Sequence, residues 1–506
     1  MAQSVPDSNV AVEKKPSVFR EVYPIAEPNV YAAVVRDPVT QRMRYEVIEP
    51  TLSKAEQQYL DEIKTLLMDE MDVSVKDLET HEKAIEYLKS KVEEIIKDYR
   101  LKVPKGTVEK LMYFIVRDFI GYGKIDALMR DHMIEDISAD GVNIPIYVWH
   151  REYESLPTNI VYNNAEELNN FIIRLAFLAG KQISVASPML DASLPNGSRI
   201  QMTYGSEITR RGSTFTVRRF RVDPLTISDL LTSGTLSSEM AAYFWYAIEN
   251  RASVFVGGGV ASGKTTTLNC LSMFIKPELK IVSVEDTAEL NLPHENWIPS
   301  VVRVGGYEEK KAGAITLFDL LKAAVRQRPD YIIVGEVRGE EAYTLFQAMA
   351  TGHLGMCTMH SESADSAIHR LESEPMNIPR SLIAMIDAVV IQGRTEVNGK
   401  PARRVLSVTE IVGLDPRSKD ILTNPAYKWD ARTDSFSYSG RSYVLQRTMQ
   451  KTGANEQEVQ DELQRRKTVL EWMVKNKIRR YTDVAGLIRE YYADPARVYR
   501  KARLGV

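Results

Sequence analysis

Leu, Ile and Val recur at helical spacing between residues 52 and 99, set among many charges. This pattern predicts two or three amphipathic helices within a helical amino-terminal region of residues 31–105. Residues 1–30 mix Pro, Ser, Val and charge without a period and are expected to be flexible. Over 106–222 the pattern is mixed. It is helical at 106–119 and 165–180, and strand-like in segments such as Ile146–Trp149, Arg199–Tyr204 and Thr214–Arg218. This is an α+β lobe. The stretch Val222-Asp223-Pro224-Leu225-Thr226 carries a proline that disfavours helix at Asp223, so residues 223–230 read as a linker. In 231–440 the period changes: the short apolar runs Val254–Gly257, Ile281–Glu285 and Tyr331–Val334 alternate with helical patterns, as in a parallel α/β sheet. Residues 441–506 are predicted as carboxyl-terminal helices.

The first of these apolar runs leads into Gly258-Gly259-Val260-Ala261-Ser262-Gly263-Lys264-Thr265-Thr266, after which a helical pattern begins. The spacing is that of a P-loop, GxxxxGK[ST], in the strand–loop–helix setting its mechanism requires. Glycines let consecutive backbone N–H groups turn toward a phosphate, and the following helix points its positive end there. Lys264 is expected to reach the β and γ phosphates of ATP, and the Thr265 hydroxyl to ligate Mg²⁺.

Arg328-Pro329-Asp330 opens the run Tyr331-Ile332-Ile333-Val334, which ends in Gly335-Glu336. A strand of this kind beside the P-loop strand would deliver Glu336 as the carboxylate that orients the attacking water. Gly335 stands where an aspartate commonly helps to hold the metal. Asp330 cannot replace it, because the strand separates the two positions by about 16 Å. Help for the metal is expected from Glu285, Asp286 or Glu289, at the carboxyl end of another strand facing the same crevice. The competing reading is that Asp286–Glu289 caps a helix. His353, His360 and His369 form a further cluster. His360 ends an apolar strand and could sense the γ-phosphate, while spacings of seven and nine do not resemble metal-ligand pairs.

Composition narrows the class. No apolar run is long enough to cross a membrane, and the first residues lack the core of a signal peptide, so a cytoplasmic protein, free or peripheral to a membrane, is expected. The two cysteines, Cys270 and Cys357, stand apart in apolar surroundings and read as core residues. A formal net charge of −3 and the lack of an aromatic-plus-basic stretch disfavour nucleic acid as a partner. From Asp461 onward, twelve Lys/Arg face six Asp/Glu, which suits a membrane partner or anionic lipid surface as well as plain solvation.

In order along the chain, the P-loop, the acidic segment Glu285–Leu290, Gly335-Glu336-Val337-Arg338 and the histidine segment Thr351–His360 resemble the secretion ATPase superfamily. Its members power type II and type IV secretion, type IV pili and the archaellum. Upstream, Glu135-Asp136-Ile137-Ser138, Leu194-Pro195-Asn196-Gly197-Ser198-Arg199 and Gly212–Arg218 look like the same family's amino-terminal lobe, so the likeness runs from Asp136 to Arg370. The form Glu285-Asp286-Thr287-Ala288-Glu289-Leu290 departs from bacterial pilus and type II members, and the tetracysteine insertion of many type II enzymes is absent. Asn291-Leu292-Pro293-His294-Glu295-Asn296-Trp297, with the helical amino-terminal extension, looks most like archaeal members, closest to the archaellum motor ATPase and next to an adhesive-pilus ATPase. The resemblance implies a RecA-like P-loop domain with a parallel central sheet, in a homohexamer of two-lobed subunits that binds ATP and Mg²⁺ between the lobes. It implies a polytopic membrane platform protein as partner, met at the inner face of the cell membrane. It also implies that arginines of the first lobe complete the site, the candidates being Arg210, Arg211, Arg218 and Arg199. A DNA translocase or helicase-like motor is the alternative from another class, and a non-catalytic nucleotide switch a third.

Overall fold

The computed structural model describes residues 18–37, 40–71, 80–220, 223–303 and 314–505. Residues 1–17 of the expected flexible terminus, and Arg221 and Val222 at the end of the expected α+β lobe, lie outside them. The chain divides into two compact units, residues 1–220 and 221–506.

The first unit opens with β1 (Val18–Ala26), β2 (Val30–Arg36) and β3 (Met43–Ile48), followed by α1 (Lys54–Glu70), α2 (His81–Asp98), α3 (Lys105–Phe119) and the short α4 (Asp126–Arg130). Then come β4 (Ile134–Ala139), β5 (Pro145–His150), β6 (Glu154–Val161), α5 (Ala165–Leu178), β7 (Met189–Ser193), β8 (Arg199–Thr203) and β9 (Thr214–Arg218). The strands form one sheet in the order β1-β2-β3-β6-β5-β4-β9-β8-β7. The three leading strands correct two expectations: residues 18–30 are not structureless, and the helical region begins only at Lys54. The run Val-Tyr-Ala-Ala-Val-Val of β2 is apolar, half of it β-branched valine, and almost wholly buried. The Tyr23 and Tyr45 hydroxyls donate to the buried Asp131 carboxylate at 2.7 and 2.5 Å, pinning β1 and β3 to the lobe. Helices α1–α3 close on a core of their own, with Leu60, Ile63, Leu67, Leu88, Val92 and Leu111 inside. A capping box starts α1: Glu56 N–H donates to Ser53 Oγ, and Ser53 N–H donates to Glu56 Oε2.

The second unit begins earlier than the linker assignment allowed. Ile227–Thr232 is a helix, α6, with Ile227 fully buried and the Thr226 N–H held by Asp229 Oδ2 at 2.9 Å. Proline breaks helix before Thr226 only, and the capping pair restarts it at once.

After α6 come α7 (Ser238–Glu249), β10 (Val254–Gly258), α8 (Lys264–Ser272), β11 (Ile281–Glu285), β12 (Trp297–Val301), α9 (Leu317–Arg326), β13 (Tyr331–Val334), α10 (Glu341–Ala350) and β14 (Leu354–Met359). The path continues through α11 (Ala364–Glu372), α12 (Arg380–Ile383), β15 (Ala388–Val397), β16 (Lys400–Leu414), β17 (Ile421–Asp430) and β18 (Ser435–Tyr438). It ends in α13 (Tyr443–Thr452), α14 (Glu456–Lys475), α15 (Tyr481–Ala493) and α16 (Pro495–Leu504).

The sheet order is β12-β11-β13-β14-β10-β15, all parallel, extended by antiparallel β16-β17-β18. Alternate strand residues feed two cores. Val254, Val256, Ile281, Tyr331 and Ile333 pack with α7, α8 and the carboxyl-terminal helices. Phe255, Val282, Val284, Ile332 and Val334 pack with α9–α12. A sheet covered on both faces explains why its strands read as unbroken apolar runs. From β10 the chain crosses to β11, beyond β14 and β13, whereas from β14 it returns past β10 to β15. The crevice at the carboxyl ends of β10 and β14 is therefore the switch point at which such sheets bind ligands. This is a RecA-like α/β domain, preceded by an α+β unit with a helical subregion.

Candidate active site

The P-loop leaves β10 at Gly258 and closes into α8. Ala261 (φ 56°) and Gly263 (φ 95°) adopt left-handed backbone, turning the chain sharply enough for successive N–H groups to face one point. Gly258 allows no side chain: a Cβ there would collide with the Gln392 carbonyl on β15 and with Ser262 Oγ. The Ser262 hydroxyl donates to the Gly259 carbonyl at 3.0 Å. Lys264 is nearly buried, and its ammonium donates to the Gly259 carbonyl at 2.8 Å and to His360 Nδ1 at 3.3 Å. Val260 stands in solvent, and Thr265 and Thr266 begin α8 half-buried.

Glu336 does not leave a strand beside the P-loop strand, as the sequence suggested. β14 lies between β10 and β13. The interposed strand ends in His360, which bridges the gap: its Nε2 lies 3.1 Å from Glu336 Oε1 while its Nδ1 faces Lys264. The order Lys264–His360–Glu336 thus follows the strand order β10–β14–β13.

Glu285 reaches the same crevice from β11. Val284 pairs with Val334, so Glu285 leaves its strand beside Gly335. A Cβ on Gly335 would sit 3.1 Å from Glu285 Cγ, so the missing side chain at 335 is the space that Glu285 fills. Glu285 Oε1 accepts from the N–H groups of Glu289 (3.1 Å) and Leu290 (3.0 Å), while Oε2 is buried with no hydrogen-bond partner among the described residues. Burial pushes its carboxyl up to about 7, against the pull of those two N–H groups. No helix follows: residues 286–296 are irregular, which removes the capping explanation of Asp286–Glu289. Asp286 pairs with Arg338, tying the two acidic segments together, and Glu289 is exposed.

The other expected residues disperse. His353 Nδ1 contacts the Ala348 carbonyl at 3.1 Å, and His369 is exposed beside Glu372. Among the described residues no group of three or more His, Cys, Asp or Glu could hold a metal. Asp330 accepts from the Lys280 N–H at the far end of β13. Cys270 and Cys357 are buried in the cores. In the first unit Arg199 and Arg218 face each other across β8 and β9, each beside an aspartate (Asp191 and Asp136), and Arg210 and Arg211 are exposed.

Two neighbours of the P-loop escaped sequence reasoning. Gln392 accepts from the Thr267 hydroxyl at 3.2 Å, and Arg403 Nε donates to the Ala261 carbonyl at 3.1 Å. A glutamine directly after the buried run Ala388–Ile391 was the available signal; nothing in the sequence brings β16 over the loop.

The type II/IV secretion system protein model matches residues 122–493, well over half of the chain. The chain belongs to that family. Family and P-loop together make it an ATPase. It is 34% identical to an uncharacterized protein of Methanocaldococcus jannaschii, MJ0900, over 96% of this chain and 92% of that one. Conjugal transfer protein TrbB of Rhizobium radiobacter is 34% identical over 45% of this chain and 68% of its own length. Among solved structures, the ATPase DotB of Legionella pneumophila aligns over 74% of this chain and 92% of its own, at 16% identity and a TM-score of 0.41.

Proposed function

We propose that the chain hydrolyses ATP at the crevice between β10 and β14 as one subunit of a cytoplasmic hexameric motor. The motor sits at the inner face of the membrane and drives assembly or rotation of an archaellum or type IV pilus-like filament through a polytopic platform protein. The observation that carries the catalytic part is the chain of contacts Lys264–His360–Glu336, with Glu285 alongside. Residues Gly258–Thr266 cradle the phosphates, and Lys264 exchanges the Gly259 carbonyl for phosphate oxygens. Glu336 orients the attacking water, and His360 holds Glu336 in place and reports on the γ-phosphate through Lys264. The donor set fits Mg²⁺: among the described residues the Thr265 hydroxyl makes no hydrogen bond, and Glu285 Oε2 is a buried oxygen without a hydrogen-bond partner. Those two groups and Glu289 are the protein's contribution to the metal, which neutralises phosphate charge when bound. Arg210, Arg218, Arg199 and Arg211 of the first unit are the cations proposed to meet the developing negative charge.

The filament assignment rests on the resemblance of Asn291–Trp297, with the helical amino-terminal extension, to archaeal members of the family. The conjugal-transfer relatives favour a second reading, the ATPase of a type IV secretion apparatus. Glu336→Gln tests the catalytic core. ATP binding should persist while turnover falls about 100-fold, the loss expected when a positioned proton acceptor is removed. Turnover within twofold of the parent would move the role to Glu285 or Glu289.

A further inference from the structure

Far in sequence from the P-loop, the first unit holds a cavity of about 620 Å³ between α1, α3 and α5. That volume lies in the range of small-molecule pockets, about 300–1,000 Å³. Four cations line it, Lys64, Arg117, Lys124 and Arg174, against two carboxylates, Asp118 and Glu167. Three of the cations are matched. Lys64 pairs with Asp118; Arg117 forks onto Asp118 (2.8 Å) and Glu49 (3.0 Å); Lys124 meets Glu167 at 2.6 Å. Arg174 is different. Its guanidinium donates to the Gly121 carbonyl at 2.6 Å and has no carboxylate within ion-pair distance among the described residues. Burial lowers its hold on the proton.

A second group points the same way. Tyr162 is 2% exposed, its ring stacks on Phe171 at 5.4 Å, and Lys124 lies 5.0 Å over its face. Its hydroxyl is buried without a hydrogen-bond partner among the described residues. A buried hydroxyl left unmade costs about 1–3 kcal/mol, so such groups are ordinarily satisfied. The lining of one cavity therefore offers, among the described residues, a guanidinium held by one backbone carbonyl and no carboxylate, and a hydroxyl without a partner. Both seek oxygen acceptors, and the first seeks negative charge. Leu52, Leu60 and Phe114 add apolar surface beside them.

We propose that this cavity binds a phosphorylated small molecule of nucleotide size, with Arg174 and Tyr162 taking the phosphate oxygens and the apolar wall taking the remainder. Arginine's planar donors match phosphate oxygens in two-point fashion. The cavity belongs to the first unit and the P-loop to the second.

The test is segment-resolved hydrogen exchange on the full chain with millimolar AMP and, separately, with inorganic phosphate. Slowed exchange in residues 114–124 and 162–174 is expected. Protection by AMP alone assigns the site to a nucleotide; protection by both assigns it to any phosphate; either supports the proposal. Arg174→Lys, which keeps the charge and loses the fork, should weaken the half-saturating concentration about tenfold. Tyr162→Phe, which keeps the ring, should weaken it about fivefold. Peptides over residues 258–266 should respond equally in parent and variants. No protection with either probe means the two groups face water only, and the proposal fails. Protection undiminished in both variants also overturns it.

Discussion

A neutral imidazole protonated on Nε2 satisfies both contacts of His360, donating to the Glu336 carboxylate and accepting from the Lys264 ammonium through Nδ1. Doubly protonated, the ring would present a proton to the lysine and repel it. Glu285 works by the opposite logic, being a carboxylate held away from water. Its folded pKa of about 7 lies above the ordinary 4.5, so the protonated form suits the fold. The associated stability is complete below about pH 4.5 and is lost as pH rises through 7, by about 3 kcal/mol. Glu285→Gln should remove that loss, seen as a smaller difference between urea midpoints at pH 5 and pH 8 than in the parent. In the parent, kcat/KM should rise through about pH 7 as the carboxylate forms, and the variant should lack this limb. An identical limb in both would place the ionisation elsewhere. Single residues were legible to the extent that their chemistry was. The P-loop, Glu336 and His360 stand out by type and spacing. The fit of Glu285 into the gap left by Gly335 did not, because a glycine's vacancy has meaning only once a neighbouring strand is known.

At the level of elements, apolar runs gave the parallel strands, because a sheet buried on both faces writes itself as continuous hydrophobicity. The first three strands were missed for the converse reason: β1 and β3 alternate burial within a charged stretch, and nothing local says that they extend a sheet over a hundred residues away. The place of β14 between β10 and β13 was likewise invisible, since strand order is a property of crossovers and not of any segment. The carboxyl-terminal helices read as a basic surface, yet their strongest feature is buried. Arg466 on α14 is 3% exposed, pairs with Glu249 and Glu462, and lies 5.2 Å over both the Trp245 and Tyr246 rings and 5.6 Å over that of Tyr491. It clips α14 and α15 to α7. Removing one partner from such a cluster strands the others, so Arg466→Ala should cost on the order of 3 kcal/mol, and Arg466→Met distinctly less. Thermal unfolding of the two variants checks this. Equal melting temperatures for Ala, Met and parent would reduce the cluster to packing without consequence.

At the scale of the whole molecule, the P-loop and the proposed carboxylates belong to the second unit, while the proposed arginines belong to the first. If those arginines act across subunits, a solitary chain is a poor enzyme and turnover per chain depends on concentration. No described helix is long and apolar enough to cross a membrane. The measurement closest to the central claim is steady-state ATP hydrolysis against protein concentration, alone, with anionic vesicles and with single-stranded DNA. Turnover per chain that climbs with concentration, rises further with vesicles and ignores DNA is the predicted result. Turnover per chain independent of concentration and raised only by DNA would contradict the account and make the chain a nucleic-acid motor.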